Sequence, residues 1–124
     1  MPAQNDALTD RLSRAHEITI TVTGRKSGRA ISVPVWFVLE DDKLNLLPVQ
    51  GSDTQWYKNV LENPSFDVRA GSAEAAFDAI PFTEPAEVSR VIEKFRSKYG
   101  DDGVKLYSKL DVAVIGRPRE SASQ

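Results

Sequence analysis

The chain is poor in the residues on which most catalytic and metal chemistry depends. It has 124 residues, no cysteine and a single histidine, His16. Without cysteine there can be no disulfide and no thiolate metal site. One histidine is too few for a histidine-based metal centre or a Ser-His-Asp triad. We therefore expect no metal site and neither hydrolase nor metalloenzyme chemistry.

Long apolar segments and a strong charge of either sign are also missing. No run approaches the ~18 apolar residues of a membrane span, and the polar start of the chain, MPAQNDALTDRLSRAHE, lacks the apolar core of a secretory signal. The formal net charge of -2 argues against nucleic-acid binding by the chain as a whole. We expect a cytoplasmic protein with one domain over residues 1–118 and a disordered tail over residues 119–124.

Positive charge is concentrated in one short segment, GRKSGR, called here the cationic turn (residues 24–29). It follows a strand predicted by the alternating, β-branched sequence ITITVT. Two glycines let such a turn adopt positive φ and point successive N–H groups at one spot, and its cations and serine add donors for phosphate. The spacing is not that of a nucleotide P-loop. The turn either faces water with incidental charge or holds an anion. The candidate anion-binding residues are Arg25, Lys26, Ser27, Gly28 and Arg29.

The rest of the pattern predicts mainly strands. Hydrophobic periodicity predicts strands over residues 18–23, 30–40, 44–50, 65–70, 73–82 and 110–116, and helices over residues 5–15, 51–64 and 83–100. Ser52 or Asp53, and Thr83, are the expected helix caps. Because Pro34 cannot donate to a ladder, the strand over residues 30–40 has an edge or a bulge there. Hairpin connections favour an antiparallel sheet curled into a barrel, with helices closing its open sides.

A groove beside the cationic turn is the second functional prediction. The strand that leaves the turn carries Trp36 on a face where a solvated sheet would be polar. The next strand ends in PVQGS, where a helix begins, and a helix N-terminus offers free N–H groups to a polar ligand. A cationic rim, an aromatic wall and a helix N-terminus together suit a long anionic cofactor with a flat ring.

Two segments carry a family resemblance. TVTGRKSGRAISVPVWFV, followed downstream by WYKNVLENPSFDVRAG, resembles the deazaflavin (F420)-dependent nitroreductase family, which belongs to the PNPOx-like, FMN-binding split β-barrel superfamily of flavin and deazaflavin oxidoreductases. The likeness is clear from Ile18 to Gly71 and weaker to about Pro118. It implies an α+β, mainly β fold, an antiparallel split β-barrel with flanking helices. It also implies coenzyme F420 as cofactor, a homodimer, and hydride transfer to a small organic acceptor such as an activated alkene, a quinone or a nitro compound.

The resemblance also implies site residues. The turn would hold the cofactor's phosphate or tail, the ring would lie along the barrel strands, and the end of the third strand with the WYxN helix would close the site. Val49 and Gln50 depart from the family's pattern there, where smaller or cationic residues are common. Tyr107 is the candidate proton donor, and Tyr99 the weaker one. The implied cofactor-binding residues are Arg25, Lys26, Ser27, Gly28, Arg29, Pro34, Val35, Trp36, Pro48, Val49, Gln50, Gly51, Trp56, Tyr57 and Asn59.

Three other functions remain open on the sequence. The same turn would serve FMN, since one phosphate suffices. A non-catalytic carrier of a cofactor or lipid could use the same groove. A plain dimeric structural domain would instead bury the apolar strand over residues 30–40 in a partner. Trp36 then becomes a core or interface aromatic, and Trp56 and Tyr99 become packing residues.

Overall fold

The computed structural model describes residues 10–41, 43–71 and 73–118 as a seven-stranded sheet flanked by helices. The strands are β1 (Ile18–Thr23), β2 (Ala30–Val35), β3 (Val38–Glu40), β4 (Lys43–Leu46), β5 (Ser65–Ala70), β6 (Ala73–Phe82) and β7 (Ala113–Pro118). The helices are α1 (Gln55–Glu62) and α2 (Pro85–Val104), and Gly51–Asp53 form a single 3₁₀ turn before α1. Residues 10–14 are also helical.

The strand order explains why the sheet curls. The order is β2-β1-β5-β6-β7-β4-β3, and every neighbouring pair is antiparallel. The two edge strands, β2 and β3, are separated by only Trp36 and Phe37. Three Cα steps span at most about 11 Å, so the two edges of the sheet must lie close together. The result is a barrel with an unpaired seam, which confirms the predicted mainly β, antiparallel split β-barrel.

The seam corrects the prediction of one continuous strand over residues 30–40. The Phe37 N–H donates to Tyr99 Oη at 3.0 Å, and that hydroxyl lies 2.9 Å from the Phe37 carbonyl oxygen. The Phe37 carbonyl also accepts from Lys98 Nζ at 2.9 Å. Since side chains of α2 satisfy the backbone groups of Phe37, no ladder is needed at this residue. Pro34 lies on edge strand β2, which confirms its predicted edge position.

The N-caps of both helices lie one or two residues after the predicted ones, and α1 spans Gln55–Glu62 within the predicted residues 51–64. The N-cap of α1 is Thr54, not Ser52 or Asp53, because those residues belong to the 3₁₀ turn. The N-cap of α2 is Glu84 rather than Thr83, with Pro85 in the first helical position, where its missing N–H costs nothing.

The ends of other elements also shift. Gly100 interrupts α2 with φ 83°, which confirms it as the end of the main helical run. Strand β4 ends at Leu46, earlier than predicted. Residues 5–9 of the predicted first helix and the predicted tail over residues 119–124 lie outside the described residues. Within the described part of the chain, no helix is long and apolar enough to cross a bilayer.

Two apolar clusters hold these elements together. The larger one fills the barrel with the inward residues of β1, β4, β5 and β6, to which α1 adds Trp56, Tyr57 and Val60. The smaller one lies under α2, where Val91 and Phe95 are fully buried. Both clusters pack beside the seam, so the backbone around it has a fixed position.

Candidate functional site

The cationic turn is shaped by its own backbone. Gly24 N–H donates to the Arg29 carbonyl at 2.8 Å, and Gly28 N–H donates to the Gly24 carbonyl at 2.9 Å. Arg29 N–H donates to Ser27 Oγ at 3.2 Å. Positive φ was expected at both glycines, but only Gly28 has it, at 71°. Gly24 is closely surrounded, since a Cβ there would lie 2.8 Å from Ser27 Oγ and that side chain would have to move.

Helix α1 holds the turn through Arg25. The Arg25 N–H donates to Asn59 Oδ1 at 3.1 Å, and its Nη1 donates to the same oxygen at 2.8 Å. The Arg25 Nη2 donates to Gln55 Oε1 at 3.0 Å. Gln55 and Asn59 are four residues apart and therefore share one face of the helix. Asn59 is buried, with 5% of its surface exposed, so this contact fixes the turn against the barrel.

A cavity of about 370 Å³ lies between the turn and α1, and we call it the turn cavity. Edge strand β2 gives it an apolar floor, and the turn gives it a cationic rim. Lys26 is exposed and makes no ion pair or side-chain hydrogen bond within the described residues. Its ammonium is therefore available to an anion. The lining residues are Gly24, Arg25, Lys26, Ser27, Ile31, Val33, Gln55, Trp56 and Asn59.

A second cavity of about 270 Å³, the aromatic cavity, lies further along β2. Its walls are mostly apolar, and Glu17 is its one charged lining residue. Val49 and Leu106, which are 49% and 68% exposed, stand at its mouth. The lining residues are Glu17, Pro34, Val35, Trp36, Leu47, Val49, Thr54, Trp56, Leu106 and Tyr107.

Trp56 lines both cavities. Strand β2 runs along both as well, with Ile31 and Val33 in the turn cavity and Val35 in the aromatic cavity. The two cavities therefore lie side by side along β2, and we call them together the groove. It is cationic at one end and aromatic at the other, and suits an elongated ligand with an anionic group and a flat ring.

The two tyrosines near the aromatic cavity differ in what their hydroxyls do. Tyr107 lines the cavity, and burial, followed by the charge of Tyr99, raises its pKa above the usual value. It therefore stays protonated and can donate a hydrogen bond or a proton. Tyr99 lies behind the wall, with its ring stacked on Trp36 at 4.4 Å between centroids. Burial raises the pKa of Tyr99 to about 12, and its hydroxyl is occupied by the backbone at the seam.

The PVQGS segment is held against the segment that carries Tyr107. Ser108 N–H donates to the Val49 carbonyl at 2.9 Å. Further along, the N–H and Oγ of Ser52 donate to the Asp111 carboxylate at 3.0 and 2.7 Å. Burial opposes ionisation of Asp111, but the hydrogen bonds from Ser52, a backbone hydrogen bond of Asp111 and the charge of Lys109 together lower its pKa. These bonds fix Val49 at the mouth of the aromatic cavity.

Ten of the sequence-predicted site residues line the groove and six do not. Those that line it are Arg25, Lys26, Ser27, Pro34, Val35, Trp36, Val49, Trp56, Asn59 and Tyr107. Those that do not are Gly28, Arg29, Pro48, Gln50, Gly51 and Tyr57.

Four of the six residues outside the groove lie in the barrel core, beside Asp111 or on the exposed part of the turn. Tyr57 is 4% exposed and packs in the barrel core. Gly51 has φ 56°, and a Cβ there would collide with the Asp111 carboxylate, so this position needs glycine. Gly28 and Arg29 are exposed on the same turn. The structure thus places part of the predicted set in the lining of the groove and the rest in neighbouring positions outside it.

The sequence analysis missed eight lining residues. Two signals could have found some of them: the four-residue spacing of Gln55 and Asn59 on a helix, and the alternation of apolar residues along β2. The others depend on tertiary contacts. The missed residues are Glu17, Gly24, Ile31, Val33, Leu47, Thr54, Gln55 and Leu106.

A third and larger cavity, of about 530 Å³, lies at the opposite end of β1 and is lined by Arg11, Arg14 and Arg69 among others. Arg14 pairs with Asp10, and Arg69 lies 3.9 Å from Glu74, so much of the positive charge in the lining of this third cavity is balanced. It has no aromatic wall. Within the described part of the chain, no three carboxylate or histidine side chains gather into a possible metal site.

Solved structures share this fold. An F420-H2 dependent reductase, FDR-A, is 25% identical over 82% of this chain and 94% of its own, with a TM-score of 0.66. A protein described as a domain-swapped dimer is 21% identical over 93% of this chain and 100% of its own, with a TM-score of 0.68. The heme storage protein HutZ from Vibrio cholerae is 12% identical over 94% of this chain and 90% of its own, with a TM-score of 0.67. The last two likenesses show the fold alone.

Sequence comparison identifies the family. No curated protein is significantly similar to the chain in sequence. The model of the F420H(2)-dependent quinone reductase family matches residues 2–115, which is most of the chain. This confirms the resemblance to F420-dependent split-barrel enzymes. The chain belongs to the F420H(2)-dependent quinone reductase family and is an F420-dependent reductase, with coenzyme F420 as its cofactor.

Proposed function

We propose that the groove binds coenzyme F420, and that the protein reduces a small uncharged organic acceptor. The phosphate and tail are assigned to the turn cavity and the deazaflavin ring to the aromatic cavity. The single observation that carries this assignment is that a cationic cavity and an aromatic cavity lie side by side, with Trp56 in the lining of both. The residues fit the group, since an exposed lysine stands at one end and apolar and aromatic walls at the other.

The acceptor class follows from the walls of the aromatic cavity. Glu17 is the one charged lining residue and would repel an anionic acceptor, while Val49 and Leu106 favour an apolar one. A quinone, an activated alkene or a nitro compound fits these requirements, and the matched family is named for quinones.

The protein's own part in the reaction is positioning and proton supply. When bound, reduced F420 supplies the hydride, so few acid–base residues are needed. The apolar walls exclude water from the reacting atoms. The Tyr107 hydroxyl, whose pKa is raised by burial, can donate a proton to the reduced acceptor.

We also propose that the protein is a homodimer. One structural neighbour is described as a domain-swapped dimer. Edge strand β2 exposes 39% of Ile31, an apolar side chain that a second copy would cover. Sedimentation at several concentrations tests this directly, and a monomer throughout would contradict it.

The test of the cofactor assignment is a titration of the protein with F420 and, separately, with FMN. Fluorescence quenching reports binding. Lys26→Ala is compared with Lys43→Ala, because Lys43 is an exposed lysine at the start of β4 that lines neither cavity. Losing a charge-assisted phosphate contact costs about 1.5–3 kcal/mol, or about ten- to more than a hundredfold in affinity. Lys26→Ala should show this loss, and Lys43→Ala should bind like the wild type.

Turnover is measured in the same preparation, by following oxidation of reduced F420 with a soluble quinone. Binding with turnover supports a reductase. Binding without turnover on quinone, alkene and nitro acceptors would point to a carrier. Tighter binding of FMN than of F420, or equal binding by both lysine variants, would overturn the assignment of the groove.

A further inference from the structure

We propose that Arg25 is a positioning residue, which holds the cationic turn on helix α1 through Asn59, and that Lys26 is the cation that contacts the anion. The three cations of the turn would then have different roles, although the sequence presents them as one cluster. The inference rests on the proposed function for the identity of the ligand, but its first half concerns the protein alone.

The geometry of Arg25 supports the positioning role. Its backbone N–H and its guanidinium donate to one and the same oxygen, Asn59 Oδ1, at 3.1 and 2.8 Å. A second guanidinium nitrogen donates to Gln55 Oε1 at 3.0 Å. Anchoring backbone and side chain together fixes both the path of the turn and the direction of the arginine. A residue held at three points by protein acceptors cannot turn its guanidinium toward a ligand without breaking these bonds.

The side chains that accept from the Arg25 guanidinium, Asn59 and Gln55, are neutral amides, so they leave its positive charge unbalanced. A carboxylate in their place would pair with Arg25 and cancel the positive potential at the rim of the turn cavity. An amide oxygen orients the guanidinium and leaves its charge in place. Asn59 is also buried, at 5% exposure, so a lost bond there would not be replaced easily by water.

The side chains of Lys26 and Arg29 are not held by hydrogen bonds to other described residues. Lys26 lines the turn cavity, is exposed, and has no side-chain partner within the described residues. Arg29 lies on the same turn but does not line the cavity. Of the three cations, therefore, Lys26 alone combines a free ammonium with a position in the cavity wall.

This arrangement gives a physical reason for the pairing of two distant motifs. Arg25 of the GRKSG segment and Asn59, the asparagine of the WYxN segment, are 34 residues apart in the chain. The asparagine accepts the hydrogen bonds that hold the first motif in place. Replacing Asn59 should therefore release both bonds, whereas replacing the Arg25 side chain should release only those of the guanidinium.

The first arm of the test is amide hydrogen exchange on the free protein, with amides of strand β5 as an internal reference. Asn59→Ala should speed exchange of the Arg25 amide at least about tenfold, while β5 remains protected. Asn59→Asp keeps an acceptor oxygen and should restore most of the protection. Lys26→Ala should leave the exchange unchanged. Unchanged exchange in Asn59→Ala would overturn the positioning role.

The second arm is a double-variant comparison of F420 affinity. Arg25→Met and Asn59→Ala should each weaken binding about tenfold, and the double variant should lose clearly less than the product of the two single losses, because both remove the bond between the guanidinium and Asn59. If the losses multiply instead, Arg25 contacts the ligand independently and the proposal is wrong. Should the wild type bind no F420, the proposed function fails and the role of Lys26 fails with it. The exchange arm would still decide whether Asn59 positions Arg25.

Discussion

The rings of Trp36 and Tyr99 stack with 4.4 Å between centroids and 9° between planes. Trp36 forms part of the wall of the aromatic cavity, and Tyr99 reaches it from helix α2. The Tyr99 hydroxyl bonds both backbone groups of Phe37 and lies 2.7 Å from the His16 carbonyl oxygen. The imidazole of His16 meets both rings edge-on. One tyrosine therefore supports the cavity wall and fixes the backbone at the barrel seam.

Tyr99→Phe should destabilise the fold without changing the ring stack. The Phe37 N–H would lose its acceptor, whereas its carbonyl would keep the bond from Lys98. Leaving a partly buried donor unpaired costs about 1–3 kcal/mol. Chemical denaturation should show that decrease in the free energy of unfolding.

Tyr107→Phe is the matched control for stability. Both substitutions remove one hydroxyl from a largely buried tyrosine, but only Tyr99 bonds the seam. Tyr107→Phe should unfold within about 0.5 kcal/mol of the wild type. Equal stability of all three proteins would show that the Tyr99 hydroxyl does not hold the seam.

Tyr107→Phe should instead affect catalysis. If the Tyr107 hydroxyl supplies the proton, removing it should lower kcat about a hundredfold and leave the F420 affinity unchanged. Because burial raises the pKa of Tyr107 above its ordinary 10.0, this tyrosine should cause no loss of wild-type activity between about pH 6 and 9. Steady-state kinetics between about pH 6 and 9 measure the kcat of the variant and the pH dependence of the wild-type activity. Full turnover by the variant would assign the proton to solvent.

Much of the fold was predictable because it depends on local patterns. The alternation in ITITVT, the hairpin at Gly71 and the stop at Gly100 each correspond to an observed strand, turn or helix end. The break at Phe37 was not predictable, because its cause is a hydroxyl from Tyr99, sixty-two residues away. An apolar segment that predicts one continuous strand is interrupted at Phe37 by tertiary hydrogen bonds.

The site was predictable in outline for a similar reason. The cationic turn is contiguous in sequence, and Trp36 was noticed because an aromatic residue stood where a polar one was expected. The different roles of Arg25 and Lys26 were not visible, since they depend on which cation reaches Asn59. The exposed Leu106 gave no signal, because it follows α2 in an irregular segment and reaches the cavity only after folding.

Leu106→Ser should weaken acceptor binding and leave the chemical step intact. Leu106 stands at the mouth of the aromatic cavity with 68% of its surface exposed. Losing about 1 kcal/mol of apolar contact should raise the KM for an apolar quinone about fivefold with kcat unchanged. Leu61→Ser, a leucine exposed to 50% on α1 and outside both cavities, is the control. Equal KM values would place the acceptor elsewhere.

The hydrogen bonds between Ser52 and the Asp111 carboxylate should make the free energy of unfolding depend on pH. Burial raises the pKa of Asp111, but the hydrogen bonds from Ser52, a backbone hydrogen bond of Asp111 and the charge of Lys109 together lower it below the ordinary 3.8. A depressed carboxylate pKa stabilises the fold above the unfolded value and loses that contribution as pH falls below it. Ser52→Ala should therefore cost about 0.5–1 kcal/mol at pH 6, discounted for an exposed group, and the cost should shrink as the pH falls below about 4.

Ser108→Ala separates this effect from a simple loss of a hydroxyl. Ser108 Oγ donates to the Val49 carbonyl at 3.3 Å, and no ionisable group takes part in that bond. Its cost in thermal unfolding should therefore be the same at every pH between 3 and 6, while that of Ser52→Ala changes. If both costs respond to pH alike, the Asp111 carboxylate is not what links this loop to the barrel, because protonation acts only through the charged partner.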